Sequence, residues 1–165
     1  MPTLEKLSAH DAHTYAVSAF SYLPETGTLS KKWRDGEWRE CKAIGSAGYI
    51  QAHFLDTVCY AHRIAWLLMT GSFPAKTIDH INRMRTDNRW SNLRLATRNQ
   101  QMWNTGNLRS NTTGCRGVSP YRGRWRAVIY YNGVQTYLGC FSSVEDASRA
   151  YAIAAQAQFK EFYAP

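Results

Sequence analysis

The chain has 165 residues, 44% hydrophobic and 13% aromatic, which predicts one domain or two very small ones with enough apolar side chain to bury a core. Twenty Lys and Arg face twelve Asp and Glu, a net charge of +8, and basic residues exceed acidic ones only after residue 59, seven to two over 60–105 and seven to three over 106–165. A field of that sign suits a polyanion. Cys41, Cys59, Cys115 and Cys140 form no Cys-x-x-Cys pair, and the longest apolar stretch is Ile64 to Met69, so structural zinc and a membrane span are not expected. With no apolar signal core at the start, the expectation is a cytoplasmic chain with reduced thiols.

Residues 13–58 read as turns and short strands, with turns at Pro24-Glu25-Thr26-Gly27 and from Gly45 to Gly48. Tyr49 to Phe54 reads as a strand leading into Val58-Cys59-Tyr60. A helical period then begins, with Ala61, Ile64, Ala65 and Leu68 on one face, Gly71 as its stop and Pro74 beyond. Thr77 to Ile81 is a short strand, 82–91 a polar loop, and Asn92 to Leu95 a second strand. Thr97 is a candidate N-cap for a helix running through Gln101 to about Trp103. The small polar residues around 105–113 predict a linker. Beyond it Trp125, Ala127 and Ile129 alternate with Arg124, Arg126, Val128 and Tyr130, Asn132-Gly133 marks a hairpin turn, and Thr136 begins the return strand. Ser143 caps a helix carrying Ala147, Ala150, Tyr151, Ala154 and Gln158 at helical spacing.

The chemically loaded segment is Ile78-Asp79-His80-Ile81, followed by Asp87-Asn88-Arg89-Trp90-Ser91-Asn92-Leu93. Cleaving a phosphodiester requires a water, a base to deprotonate it and positive charge for the phosphate and departing oxyanion. A histidine beside a carboxylate supplies base and ligand, and hard cations such as Mg²⁺ take oxygen donors. Adjacent strand residues point to opposite faces, so Asp79 and His80 can serve one phosphate only where the strand ends or is distorted.

His62-Arg63, Asp79-His80 and Asn92-Leu93-Arg94-Leu95-Ala96-Thr97, taken in order, resemble the HNH nucleases, specifically the zinc-free phage and homing-endonuclease branch. Upstream, Tyr22 to Gly27 and Gly48-Tyr49 resemble that branch's N-terminal region, so the likeness covers roughly 17–105. It implies that His80 is the general base, that Asp79 is a ligand of one divalent metal, Mg²⁺ with Mn²⁺ as a substitute, and that Asn92 holds the loop and orients His80. His62 would be structural and Arg63 would touch a phosphate. The branch commonly has an asparagine on the final helix as second metal ligand; Gln101 stands there, with Asn104 one turn on as the substitute.

Cys115-Arg116-Gly117-Val118, Gly123-Arg124-Trp125-Arg126-Ala127, Tyr137-Leu138-Gly139-Cys140-Phe141 and Ala147-Ser148-Arg149-Ala150-Tyr151 resemble the Apetala and ethylene-response-factor DNA-binding domain over nearly all of 114–165. That likeness implies a three-stranded sheet in the major groove with a helix packed behind. Trp125, Ala127, Ile129 and Leu138 would face the helix. Arg116, Arg122, Arg124, Arg126, Tyr130, Gln135 and Tyr137 would be the DNA-binding set, where Arg pairs with guanine and Gln with adenine.

The expectation is therefore an α+β chain in four parts: a β-rich N-terminal region of the nuclease unit at 1–58, the HNH core at 59–104, a linker at 105–113 and the DNA-binding domain at 114–165. Its function would be metal-dependent cleavage of double-stranded DNA, one nick per site, by a monomer or homodimer, with no membrane partner. Its setting would be the cytoplasm, of a bacterial host if phage-encoded. The rival expectation is a non-catalytic DNA-binding regulator with a decayed nuclease module.

Overall fold

A computed structural model describes residues 8–106 and 111–163, with mixed helices and antiparallel sheets. The chain divides into two units, 1–97 and 98–165.

The first unit opens with a helix where turns and strands were expected: α1 is Ala9–Ala19. The Ser8 hydroxyl accepts from the Asp11 N–H at 3.1 Å, and Ala12 and Ala16, one turn apart, are buried. Ser8-x-x-Asp11 was the available start signal, but a face built from alanines gives a weak apolar period. Three antiparallel strands follow in the order β1 (Phe20–Leu23), β2 (Thr28–Lys32) and β3 (Trp38–Glu40). The expected turn at Pro24 to Gly27 joins the first two, with Leu23 opposite Thr28. A hairpin of β4 (Gln51–Phe54) and β5 (Thr57–Tyr60) leads straight into α2 (Ala61–Thr70). The helix stops where Gly71 adopts φ 79° and its N–H bonds the Leu67 carbonyl at 2.8 Å, a left-handed cap that glycine reaches without strain.

The core of this unit is Phe20, Leu29, Phe54, Ile64 and Leu67. The Phe20 and Phe54 rings stack at 5.8 Å, and Tyr15 meets both edge-on. Each such side chain contributes about 1.5–3 kcal/mol on full burial. Leu67, rather than the expected Leu68, is the fully enclosed leucine of α2. The unit ends in an antiparallel pair, β6 (Thr77–His80) and β7 (Leu93–Ala96), in which Asp79 lies opposite Arg94 and His80 opposite Leu93. The loop between them closes in one 3₁₀ turn, Trp90–Asn92.

In the second unit α3 (Arg98–Trp103) precedes a sheet of order β10-β9-β8, made of β8 (Val118–Tyr121), β9 (Arg124–Tyr131) and β10 (Val134–Phe141). Asn132 and Gly133 both have positive φ, 49° and 81°, as a two-residue hairpin of type I′ requires. The final helix, α4 (Val144–Phe159), is capped by the Ser143 hydroxyl accepting from the Asp146 N–H. Its buried row is Ala147, Tyr151, Ala155 and Phe159, while Gln158, expected on that face, is exposed. Strict i+4 steps from Ala147 reach Phe159, and the larger apolar ring takes the core position. Ala127 and Ile129 are buried, and Trp125 and Leu138 pack with the helix as expected. Trp103 of α3 stacks on Phe159 at 5.0 Å and on Tyr131 at 5.1 Å. The linker read at 105–113 falls partly on 107–110, outside the described residues.

The four cysteines are free, and among the described residues no helix is long and apolar enough to cross a membrane.

Candidate active site

β6 ends at His80, and Asp79 and His80 are both enclosed, 9% and 4% exposed. The Asp79 Oδ2 accepts from Arg94 Nε at 2.9 Å and Nη2 at 2.8 Å across the β6–β7 ladder. Asn92 ties the intervening loop shut. Its Oδ1 accepts from the Asn82 N–H at 2.9 Å and its Nδ2 donates to the Asp87 carbonyl at 2.7 Å. Asp87 in turn accepts from Arg89 and Asn82. The hydrogen bonds from Arg89, more than any other cause, hold its carboxyl down at about 2.

The histidine ring is bonded by Asn88, a loop residue to which the sequence pattern assigns no role. His80 Nε2 lies 3.1 Å from the Oδ1 of Asn88, a side chain only 2% exposed. An amide oxygen accepts, so in the tautomer that satisfies this contact Nε2 carries the proton and Nδ1 the lone pair of the neutral ring. Asn88 is fixed from below by the β1–β2 turn. The Tyr22 hydroxyl donates to the Asn88 carbonyl at 2.6 Å, and the Trp90 N–H donates to the Pro24 carbonyl at 2.9 Å. Gly27, at φ 75°, lets the two backbones touch: a Cβ there would stand 2.4 Å from the Arg89 nitrogen and 2.5 Å from the Asn88 carbonyl carbon. The Tyr22 to Gly27 segment is thus a shelf under the loop that carries Asn88.

The other side of the His80 ring is walled by aromatics. His62 meets it edge-on at 5.1 Å and Tyr49 lies 5.6 Å away, with Arg85 over the Tyr49 ring at 5.1 Å. His62 is 5% exposed and its Nδ1 finds no hydrogen-bond partner among the described residues. Burial, then the neighbouring His80 and Arg63 charges, push it down to about 3. Burial also lowers His80, opposed by the Asn88 hydrogen bond and by the Asp79 and Asp87 charges. Both shifts favour the neutral ring, the state in which imidazole can accept a proton.

Arg63 packs over the Phe73 ring at 5.7 Å. Gln101 and Asn104 belong to the second unit, where Gln101 is half-buried and Asn104 is 3% exposed. Among the described residues no group of three His, Cys, Asp or Glu side chains gathers in a way that could hold a metal. Within the first unit the candidate donor is the Asp79 carboxylate, whose oxygens are hard donors of the kind Mg²⁺ and Mn²⁺ take.

On the sheet of the second unit, the register puts Tyr121 opposite Arg124, Tyr130 opposite Gln135 and Val128 opposite Tyr137. Arg124, Arg126, Tyr130, Gln135 and Tyr137 therefore share the face turned away from Ala127 and Ile129. The Tyr130 hydroxyl donates to Gln135 Oε1 at 2.6 Å, and Arg122 and Arg126 lie over the Tyr121 ring at 5.4 and 5.5 Å. Arg116 has a different role. Its guanidinium donates to the carbonyls of Met102, Trp103 and Thr105 at 2.8, 2.7 and 3.0 Å, closing the C-terminal end of α3.

Residues 59–103 match the family described as HNH endonuclease. A protein of Acanthamoeba polyphaga mimivirus described as an uncharacterized HNH endonuclease is 31% identical over 123 residues, 74% of this chain and 64% of that protein. No solved structure matches. The matched segment, residues 59–103, is the one that carries His62, Asp79, His80 and Asn92.

Proposed function

We propose that the chain is a metal-dependent endonuclease that hydrolyses phosphodiester bonds of duplex DNA, with His80 as its general base and the second unit as its DNA-recognition element. The observation that carries the reading is the 3.1 Å bond from His80 Nε2 to buried Asn88. It aims a neutral ring with Nδ1 as the basic nitrogen, beside Asp79 and within the nuclease-family segment. Nδ1 takes a proton from water, and the hydroxide formed attacks phosphorus in line with the 3′ oxygen. The phosphorus–oxygen bond breaks, its electron pair leaves on the 3′ oxygen, and that oxygen is protonated from solvent. Asn92 keeps the loop closed, so that Asn88 stays under the ring.

Asp79 would hold the Mg²⁺ or Mn²⁺, whose charge would stabilise the leaving oxygen; Arg94 would share the Asp79 carboxylate with it. One such site per chain makes a single-strand nick the elementary product. Arg122, Arg124, Arg126, Tyr130, Gln135 and Tyr137 would set the duplex in place through the major groove, with Arg63 on a phosphate.

The test is conversion of supercoiled plasmid to nicked circle, with Mg²⁺ or Mn²⁺ and with EDTA, by the native chain and by His80→Ala. Metal-dependent nicking that the substitution abolishes is the expected result. Cutting that persists in His80→Ala overturns the assignment of the base, and DNA binding without any cutting returns the regulator reading.

A further inference from the structure

The first 59 residues carry slightly more acid than base, six Lys and Arg against seven Asp and Glu, yet the fold gathers five of those six cations on one feature. A trough of about 480 Å³ runs between the β2–β3 ribbon and β4, lined by Lys31, Lys32, Arg34, Arg39 and Lys42, with Glu40 the single carboxylate among its lining residues. Two of the cations are neutralised locally: Arg39 pairs with Asp35, and Lys42 with Glu40 at 2.9 Å. Lys31, Lys32 and Arg34 form no ion pair among the described residues. Lys31 Nζ donates to the His53 carbonyl at 2.6 Å, which pins one ammonium between β2 and β4.

Two tryptophans of the ribbon are unusually open to solvent; Trp33 lines the trough, and Trp38 lies opposite Lys32 in the β2–β3 register. Trp33 is 54% exposed and Trp38 is 46% exposed. Each is braced by a cation, Arg39 over Trp33 at 5.1 Å and Lys32 over Trp38 at 5.8 Å. Tryptophan is highly buried on average, so an exposed pair calls for a partner. All three residues of the edge strand β3 are exposed, so that partner has open access to the ribbon.

We propose that this trough is a second DNA-contact surface, remote in sequence from the recognition sheet, in which backbone phosphates sit against Lys31, Lys32 and Arg34 and the rim of Trp33 packs on a sugar. It rests on the DNA reading above and extends it to the N-terminal ribbon. Cations without an ion pair among the described residues match a polyanion, and the flat Trp33 ring braced by Arg39 matches an apolar sugar edge. The contact is sequence-independent, because phosphate contacts position a duplex without reading bases.

The experiment measures duplex affinity of the full chain across a range of salt, in EDTA so that the DNA stays intact, for the native chain and for Lys32→Gln/Arg34→Gln. Each phosphate contact adds about 0.9 to the slope of log affinity against log salt. Removing two should flatten the slope by about 1.8 and weaken binding about sixtyfold at 0.1 M salt. Lys32→Arg/Arg34→Lys keeps both charges and should keep the slope, which separates phosphate contact from a structural role. In cleavage the neutral variant should raise KM and leave kcat unchanged. A native chain that binds and cuts DNA while the neutral variant matches its slope overturns the trough and leaves the nuclease reading standing. A native chain with no affinity for duplex DNA overturns both.

Discussion

Asn88→Ala isolates the group that aims His80. Asn88 is almost fully enclosed and its Oδ1 is 3.1 Å from His80 Nε2, so truncation leaves a buried imidazole N–H without that acceptor. The cost to stability is about 1–3 kcal/mol. The kinetic cost should be larger, because the ring loses the partner that fixes its tautomer and angle, and a base misplaced by about 1 Å loses about a hundredfold in rate. General-base catalysis as a whole contributes about 10²–10⁴, which places Asn88→Ala between the native chain and His80→Ala. A buried side chain cannot touch DNA, so kcat falls and KM holds.

The measurement is initial nicking rate against DNA concentration, paired with nitrogen NMR of the imidazoles, in which the native His80 should report the Nε2–H tautomer. Asn88→Asp keeps an acceptor at the same place and should retain more activity than Asn88→Ala. Adding Asn88→Ala to His80→Ala should cost nothing further, since the two act as a unit. A folded Asn88→Ala chain with kcat within threefold of native refutes the reasoning.

Three further outcomes follow from the geometry. His62 sits near pKa 3 in the folded chain against about 6.5 unfolded, so the unfolded state takes the proton first and stability falls as pH drops below 6.5. The loss is about 1.4 kcal/mol per pH unit, about 2 kcal/mol by pH 5; denaturant unfolding at pH 7 and pH 5 should show a shallower acid loss in His62→Phe, and equal losses would sink the argument. Gly27→Ala places a methyl against the Asn88–Arg89 backbone, whereas Gly36→Ala, also at positive φ, meets nothing within 4 Å. The second should cost about 1–2 kcal/mol of left-handed strain, and the first clearly more together with most of the nicking activity, both read by thermal melts beside plasmid assays. Arg116→Ala removes three hydrogen bonds from the end of α3, so amide exchange over 98–105 should accelerate by more than tenfold, while the first unit is unchanged.

Much of the local structure was legible from the chain. The run from Ala61 to a stop at Gly71, the Asn132-Gly133 turn and the Ser143 cap all rest on interactions within a few residues, and each stands in the structure as read. Asp79, His80 and Asn92 could be singled out because their chemistry and order are written along one short stretch. The α1 helix escaped because its inner face is alanine, which packs well but contrasts little with its neighbours. The buried row of α4 was misjudged at its end because Gln158 and Phe159 are both near the correct angle, and only the sheet's shape chooses the ring.

What the sequence by itself determined is most of the local elements after α1 and the segment that carries Asp79, His80 and Asn92, since periodicity, caps and turn chemistry act over one or two turns of chain. Tertiary structure alone decided what holds that segment in register. Tyr22 and Gly27 lie some sixty residues before Asn88 and meet it only when the β1–β2 turn docks beneath the loop. Arg94 reaches Asp79 only through the pairing of β6 with β7, and Arg116 is turned from the expected DNA surface to the carbonyls of α3. These contacts depend on which backbones come within 3 Å of each other. That is fixed by packing of distant apolar side chains, and no window of sequence contains it.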